Sequence, residues 1–323
     1  MSKILWVLMD DRRGSVGQAL GVIGALNKNK FTAIEKQVCY TKWARLPNLI
    51  RNYSLIGLTA DSKKNICPPF PDYVLSISRR TAPIALYIKK HSPQTKIIQL
   101  MHPGNAGLSD FDLVIVPKHD KNKKNVPNIH YITGCPHKIT PEFLQNARNI
   151  WAEKFADLPK PLTAVIIGGA IKNKPFSDDN AIALGKAVNK LKQKIGGAIL
   201  LTTSRRTGKS AEKLILNELQ NIPQYTYLWG DISENPYSGF LACADNIIVT
   251  GDSVSMCCEA TATKKPLYIF TGRNWLTAKH QRFIDSLCED CCAILLEDEN
   301  AADFIPQKSL NAAQEVAELI EKL

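Results

Sequence analysis

Short runs of β-branched and aliphatic residues alternate with longer amphipathic patterns along most of the 323-residue chain, and this alternation restricts the fold more than any other feature. It is typical of βαβ units with a mainly parallel sheet. The series begins at Ile4 to Met9, pauses around Trp151 to Pro161, and restarts at Leu162 to Ile167. The sequence therefore predicts an α/β protein with two Rossmann-like domains and a cleft between them, rather than one continuous sheet.

The pause divides the predicted strands into two consecutive series. Residues 1–155 are assigned to the first domain and residues 156–311 to the second, and the spacing of Val316, Leu319 and Ile320 predicts an amphipathic helix over residues 312–323. Further strands are predicted at Tyr73 to Ile77, Lys96 to Leu100, Leu113 to Val116, Ile129 to Thr133, Ala198 to Thr202, Tyr225 to Leu228, Asn246 to Thr250 and Pro266 to Phe270.

The charge balance favours anionic partners. The chain has 41 basic and 30 acidic residues, a formal charge of +11, which suits a phosphorylated small molecule, nucleic acid or an acidic membrane surface. The lysines around Lys121 to Lys124 and Lys186 to Lys194 lack the interleaved aromatic residues that single-stranded nucleic acid favours, so they are expected to be solvated faces. Nucleic acid is therefore the least favoured partner.

The chain is predicted to be cytoplasmic. No apolar run approaches the ~20 residues that a membrane-spanning helix needs, and Asp10 to Arg13 stand where an exported chain would carry a small-residue cleavage site. Nine cysteines, an odd number, are consistent with a reducing compartment. The positive charge also allows peripheral contact with the anionic inner face of the membrane.

Three arginine pairs follow predicted strands at the point where each strand passes to a helix. Ligands of open parallel sheets bind at these carboxyl ends, so the pairs are predicted to attract an anion. The residues are Arg12, Arg13 and Gly14 after the first strand, Arg79 and Arg80 within Ser-Arg-Arg-Thr at 78–81, and Ser204, Arg205 and Arg206 within the same tetrapeptide at 204–207.

The stretch from Ile247 to Ala260 is the strongest local candidate for a binding site. A buried strand ends in the turn Gly251-Asp252-Ser253, and a helix begins near Ser253. The free N–H groups and the positive helix end in such a turn can bind an anion, and Glu259 could accept hydrogen bonds from sugar hydroxyls. The alternative is that Ser253 only caps the helix and Glu259 is an ordinary surface residue.

The pair Gly168-Gly169 after the restarting strand allows the backbone to turn close to a phosphate. It forms neither G-x-G-x-x-G nor a Walker A loop, so nicotinamide cofactors and P-loop hydrolysis lose support. Many such pairs only turn the chain.

Two further groups of residues have possible chemistry. His119 and Asp120 follow a predicted strand and could act as an oriented base, although adjacent loop residues of this kind are more often structural, and His102 is a weaker candidate. The cysteines at 257, 258, 288, 291 and 292 lack the usual spacing of a zinc site. No metal is predicted.

Nearly the whole chain resembles the "elongated mitochondria" family of mitochondrial fission proteins, which also has bacterial members. Residues 252–260 are the most distinctive part of the resemblance. It is carried by Glu234-Asn235-Pro236-Tyr237, Leu241 to Asp245, Val249 to Met256, Glu259-Ala260, Ser78 to Pro83, Pro117 to Asp120, Gly134 to His137, Thr202 to Thr207 and Lys279 to Phe283.

The resemblance implies a GT-B-like fold in which the second domain holds a nucleotide-sugar and the final helix packs back on the first domain. In this interpretation Asp252, Ser253, Ser255 and Glu259 face the donor, and Glu259 contacts its ribose. The nucleotide-sugar, or another phosphorylated small molecule, is a ligand rather than a tightly bound cofactor.

The chain departs from the pattern of the family at two positions. Ser15 stands where the family pattern has histidine, and Lys264 stands where it has glycine. Serine cannot act as a base near pH 7. If the histidine of the family pattern is the base, this chain is either inactive or relies on His119. From the resemblance, the predicted function is a glycosyltransferase with an unidentified acceptor, and the alternative is a non-catalytic recruiting protein on the same fold.

Overall fold

The computed structural model describes residues 2–105, 107–120 and 126–323, with the side chain of Arg13 left out. The chain forms two compact units. The first comprises residues 1–138 and 311–323, and the second comprises residues 139–310. Each is described by itself.

The first unit contains a six-stranded parallel sheet in the order β2-β1-β3-β4-β5-β6. The centre of this sheet is apolar on both faces, as expected when helices cover a parallel sheet on both sides. Its strands are β1 (Lys3–Met9), β2 (Phe31–Gln37), β3 (Tyr73–Ile77), β4 (Lys96–Leu100), β5 (Leu113–Pro117) and β6 (Ile129–Ile132), and its first helices are α1 (Arg13–Ala25), α2 (Asn48–Arg51), α3 (Ala60–Lys64) and α4 (Ser78–His91).

The second unit contains another six-stranded parallel sheet, in the order β12-β11-β10-β7-β8-β9. The strand order reverses beside β7, which lies between β10 and β8 and therefore at the switch point where such sheets bind ligands. The helices are α5 (Pro141–Trp151), α6 (Asp178–Ile195), α7 (Lys209–Leu219), α8 (Tyr237–Cys243), α9 (Val254–Thr261) and α10 (Ala278–Glu289), and the strands are β7 (Thr163–Ile166), β8 (Ile199–Thr202), β9 (Gln224–Tyr227), β10 (Asn246–Thr250), β11 (Leu267–Phe270) and β12 (Ile294–Leu295).

The last helix, α11 (Ala312–Glu321), belongs to the first unit. Its buried residues Val316 and Ile320 join the core that α1 and the β1 strand build, together with Val22 and Leu5. The periodic apolar face of this helix therefore covers one side of the first sheet.

The boundary between the units lies earlier than the sequence suggested. It falls at 138/139 rather than 155/156, because α5 packs within the second unit. The Trp151 ring stacks on Phe155, which in turn contacts Phe240 of α8. Gly239 leaves room for that tryptophan, since a Cβ there would overlap its side chain.

The predicted class of fold is confirmed. Two parallel sheets with covering helices are present, and every predicted strand has a counterpart. The sequence did not predict β2 and β12, which are both edge strands. Edge strands are only partly covered, so they lack the continuous apolar run that marks a central strand.

Candidate functional site

The turn after β10 contains a buried carboxylate. Asp252 has no side-chain exposure, and its Oδ2 pairs with the Arg206 guanidinium at 2.7 Å. The same oxygen accepts a hydrogen bond from the Gly169 N–H at 2.9 Å, while Oδ1 accepts from the Thr250 hydroxyl at 2.8 Å. Burial raises the pKa of Asp252, and Arg206 and these donors oppose that shift. This side chain joins the ends of three strands.

The amides of the glycine pair make hydrogen bonds within the protein, and the role of Gly168 and Gly169 in binding a phosphate stays a prediction. The Gly168 N–H donates to the Thr250 hydroxyl oxygen at 2.7 Å, and the Gly169 N–H donates to Asp252. Both amides already have acceptors within the protein. A Cβ at Gly168 would overlap the Asp252 carboxylate, and one at Gly169 would overlap the Arg206 backbone carbonyl. The glycines therefore allow close packing across β7.

The Ser-Arg-Arg-Thr turn after β8 is fixed to the same place. The Ser204 hydroxyl donates to the Gly168 carbonyl at 2.5 Å and accepts from the Arg206 N–H at 3.1 Å. The Thr207 hydroxyl also donates to the Gly168 carbonyl, at 2.6 Å. Arg206 donates to the Ala170 carbonyl as well as pairing with Asp252. Arg205 is exposed. Of the two predicted arginines, only the second is held in place by these contacts.

The N-terminus of α9 opens into a pocket of ≈ 480 Å³. Ser253 occupies the cap position, yet its side chain makes no capping hydrogen bond, so it does not act as the side-chain cap that the alternative interpretation required. The pocket is lined by Ser253 and Ser255 at the helix end and by basic side chains from three other segments: Lys172, Arg206, Lys279 and His280. Such an end carries partial positive charge.

Three of the basic residues in this pocket were not among the predicted site residues. Lys279 and His280 begin the Lys279 to Phe283 stretch that carries part of the family resemblance, so a signal for them existed in the sequence. The Thr277 hydroxyl holds Nδ1 of His280 at 2.7 Å. Lys172 follows the glycine turn without any recognisable motif.

Glu259 is half-buried on α9 and has a specific partner. The Tyr237 hydroxyl, at the start of α8, donates a short hydrogen bond to Oε2 of Glu259. Burial, and then the neighbouring carboxylate, raises the pKa of Tyr237. Glu259 is therefore held by α8 and is not an ordinary surface residue. Tyr237 belongs to the Glu234 to Tyr237 motif but was not predicted as a site residue.

The first unit gathers its own predicted residues at the carboxyl ends of β1 and β3. Arg80 pairs with Asp11 at 2.6 Å, and its guanidinium lies 4.0 Å from the centre of the Tyr40 ring. Arg12 and Arg79 are exposed. The side chain of Arg13 lies outside the described part of the structure. Gly14 lies in α1, where a Cβ would meet open space within 4 Å.

The two predicted base candidates follow β5 in a 3₁₀ turn, Lys118–Asp120. His119 is 6% exposed. His102, after β4, is half-buried; burial and Arg79 lower its pKa, whereas Asp120 raises it. His102, Arg79 and Asp120 therefore lie close enough to influence one another electrostatically.

The described residues were also compared with the requirements of a metal site and of a membrane-spanning helix. Within the described ranges, no three histidine, cysteine or acidic side chains form a group that could hold a metal ion. No helix in the described part of the chain has both the length and the apolar character required to cross a bilayer.

The fold and the switch-point site define the class of protein. Solved structures with the same arrangement include the UDP-GlcNAc 2-epimerase of Methanocaldococcus jannaschii, with a TM-score of 0.61 and 13% identity, covering 99% of this chain and 100% of that one. MurG of Acinetobacter baumannii matches with a TM-score of 0.53 and 13% identity, covering 99% of each chain. The protein has the GT-B-like two-domain α/β fold.

Sequence comparisons place the chain in a family. The family model described as "Mitochondrial fission ELM1" matches residues 13–323, so the chain belongs to that family. An uncharacterised protein of Rickettsia prowazekii is 32% identical over 98% of this chain and 97% of its own length. Mitochondrial fission protein ELM1 of Arabidopsis thaliana is 32% identical over 66% of this chain and 55% of its own length. The resemblance predicted from the sequence is confirmed.

Proposed function

We propose that the second unit binds the diphosphate of a nucleotide-sugar at the N-terminus of α9, and that the protein is a GT-B-type glycosyltransferase. The observation that carries this proposal is the pocket of ≈ 480 Å³ in which that helix end meets Arg206, Lys172 and Lys279. The partial positive charge of a helix N-terminus and nearby cations both favour phosphate. Asp252 also lines the pocket and holds Arg206 there through their ion pair.

Glu259 supplies the second contact in this proposal. Ser255 and Glu259 are four residues apart on α9, so they share one face of the helix. A phosphate near Ser255 would therefore bring the adjoining ribose towards Glu259, whose carboxylate accepts hydrogen bonds from sugar hydroxyls. The Tyr237 hydroxyl fixes the orientation of that carboxylate.

The ligands of similar folds support a uridine diphosphate sugar as the first ligand to test. The UDP-GlcNAc 2-epimerase of Neisseria meningitidis was solved with UDP-GlcNAc bound, and its structure matches this chain with a TM-score of 0.56 at 13% identity. At that identity the likeness extends to the fold alone. The reaction itself has to be measured, because one fold hosts several chemistries.

We assign the base for transfer to the first unit, at His119 with Asp120 or at the more exposed His102. A half-buried imidazole with a lowered pKa is neutral at pH 7 and can accept a proton. The second candidate function, a non-catalytic recruiting protein, is favoured by Ser15, which lies in α1 where the family pattern has histidine.

Thermal shift against a panel of nucleotide-sugars tests binding. A specific ligand raises the melting temperature by mass action, and we expect one nucleotide to do so. Glu259→Ala should weaken that nucleotide roughly ten- to hundred-fold, since a hydrogen bond to a carboxylate contributes about 1.5–3 kcal/mol. Glu289→Ala, on the exposed end of α10, is the matched control and should bind as the parent does.

Product analysis separates the two candidate functions. Transfer of sugar to an acceptor, or release of the free sugar by slow hydrolysis, should depend on the bound nucleotide-sugar and should fall in His119→Ala or His102→Ala. Binding without turnover in the parent, with turnover appearing in Ser15→His, would indicate a degenerate enzyme. If no nucleotide stabilises the parent, the donor site is wrong and the recruiting function takes its place.

A further inference from the structure

The loop at residues 41–57 of the first unit has its polar and apolar residues in the reverse of the usual arrangement. Its ends are joined by the Tyr40–Leu58 bridge and by the Thr41 N–H, which donates to the Gly57 carbonyl at 2.9 Å. Between them lie a 3₁₀ turn, Lys42–Arg45, with no buried residue, and α2, in which only Arg51 is buried. The arginine is therefore inside.

The apolar side chains of the loop are outside. Trp43 is 57% exposed, Leu49 82% and Ile50 59%. With Ile56 they make four of the eleven large hydrophobic side chains that are exposed in the described part of the molecule, all within fourteen residues. Single exposed apolar residues are ordinary, but a group of them marks a contact surface.

Hydrogen bonds from Arg51 and Asn48 hold this loop in that arrangement. The buried Arg51 guanidinium donates to the carbonyls of Ala44 at 3.0 Å, Ile56 at 3.3 Å and Arg80 at 3.3 Å. The Asn48 amide donates to the Arg79 carbonyl at 2.8 Å. These bonds join both halves of the loop to the first turn of α4, so the apolar side chains cannot turn inward without breaking them.

The charge of the segment identifies the partner. No aspartate or glutamate occurs between Glu35 and Asp61, whereas Lys42 and Arg45 are exposed in the loop itself. The pocket of ≈ 550 Å³ beside the loop is lined by Leu49 and by Arg79, whose side chain is exposed. Apolar side chains flanked by cations match the surface of an anionic bilayer. A second copy of this loop would instead bring like charges together.

We propose that the loop at residues 41–57 is a membrane-docking surface, in which Trp43, Leu49 and Ile50 enter the interfacial region of an anionic bilayer. Lys42, Arg45 and Arg79 face its lipid phosphates. This surface lies in the first unit, and its Lys42, Trp43, Arg45, Leu49 and Ile50 are not among the residues assigned to nucleotide binding. Arg79 also lowers the pKa of His102, so the variants that test the surface leave Arg79 unchanged.

Vesicle co-sedimentation of the full chain tests the proposal. We expect binding to phosphatidylcholine–phosphatidylglycerol vesicles in roughly a 2:1 ratio and much less to phosphatidylcholine alone. The double variant Leu49→Ser/Ile50→Ser should bind at least about tenfold more weakly. The matched control is Ile232→Ser/Ile305→Ser in the second unit, where the two side chains are 103% and 79% exposed, and it should bind as the parent does.

Fluorescence locates the contact. Trp43 and Trp229 are the exposed tryptophans among the described residues, so a Trp229→Phe background leaves Trp43 as the exposed reporter. Its emission should shift to shorter wavelength on anionic vesicles and be quenched by brominated lipid. Lys42→Glu/Arg45→Glu should remove the preference for anionic vesicles.

Several outcomes would overturn the proposal. These are absence of vesicle binding by the parent, equal binding by the Leu49→Ser/Ile50→Ser variant, or an unchanged Trp43 spectrum. Competition by soluble glycerol phosphate at similar concentration would indicate a site for a free phosphate ester. A dimer of the parent in sedimentation velocity that is lost in the same double variant would show that the loop contacts a second copy.

Discussion

The two units use the same tetrapeptide in two different ways. Ser-Arg-Arg-Thr begins α4 in the first unit, at residues 78–81, and forms the turn before α7 in the second, at residues 204–207. In both, the first arginine is exposed and the second pairs with an aspartate that follows another strand of the same sheet. The partners are Asp11 after β1 and Asp252 after β10.

The pairs differ in burial and in what surrounds them. The Asp11 side chain is 71% exposed, whereas Asp252 has no exposure and reaches across the Gly168-Gly169 turn at the end of β7. An exposed ion pair is screened by water and contributes little to stability. Removing one partner of a buried ion pair is strongly destabilising, because the other charge stays buried without a partner. The same tetrapeptide at the end of a strand therefore forms a partly exposed ion pair in one unit and a buried structural joint in the other.

The largest predicted effect is on this joint. Asp252→Ala leaves the half-buried Arg206 unpaired and removes the acceptor of the Gly169 N–H, so we expect a loss of about 2–3 kcal/mol in the free energy of unfolding. Urea unfolding measures it, followed by the fluorescence of Trp275, whose indole N–H donates to the Gly169 carbonyl. Asp252→Asn, which keeps the shape, should lose less. Parent-like stability of Asp252→Ala would mean that the joint contributes nothing.

The second largest effect is expected when a side chain is added at Gly168, next to the Asp252 carboxylate. A Cβ at Gly168 would overlap the Asp252 carboxylate, so Gly168→Ala should cost about 2 kcal/mol by overpacking. In the Asp252→Ala background the cost should fall by about 1 kcal/mol or more, since the two sites are in contact. Gly14→Ala is the control, because a Cβ there meets open space. Equal costs in both backgrounds would disprove the overlap.

The sheets could be predicted because central parallel strands must be apolar. Val165 and Ile248 belong to continuous buried runs whose composition gives both their type and their place. The β2 strand, at an edge of its sheet, was not predicted because Thr32, Glu35 and Lys36 interrupt its apolar pattern. The β12 strand was not predicted because it has only two residues. An edge strand is fixed by its neighbour rather than by its own sequence.

The candidate site was predictable only in part, because its contacts depend on distant segments rather than on the local sequence. The sequence indicated the turn at Asp252, but a strand followed by glycines does not reveal where their N–H groups point. The amides of Gly168 and Gly169 have internal acceptors 82 and 83 residues away along the chain. Lys172 and Tyr237 likewise become neighbours of the site through the order of the strands rather than through any spacing in sequence.

The first serine of each tetrapeptide, Ser78 or Ser204, is expected to respond differently to replacement by glycine. Ser78 has a φ of 73°, in the left-handed region, which costs a non-glycine residue about 1 kcal/mol. Ser78→Gly should therefore stabilise the protein by up to about 1 kcal/mol. Ser204→Gly should destabilise it by about 1 kcal/mol, because the Ser204 hydroxyl bonds the Gly168 carbonyl and the Arg206 N–H. A rise in melting temperature for Ser78→Gly and a fall for Ser204→Gly would support this difference, and equal changes in the two variants would contradict it.

The smallest effect is expected at the exposed pair. Asp11→Asn removes one charge from a contact in which the carboxylate is 71% exposed, so the free energy of unfolding should change by less than about 0.5–1 kcal/mol and the change should shrink at high salt. Arg80→Ala should cost more than Asp11→Asn, because it also removes the guanidinium that lies 4.0 Å from the Tyr40 ring centre. A double-mutant cycle of Asp11→Asn with Arg80→Ala isolates the pair itself. A coupling energy as large as that from the same kind of cycle made with Asp252→Asn and Arg206→Ala would abolish the distinction between the two tetrapeptides. A coupling near zero would leave the stacking on Tyr40 as the main contribution of Arg80.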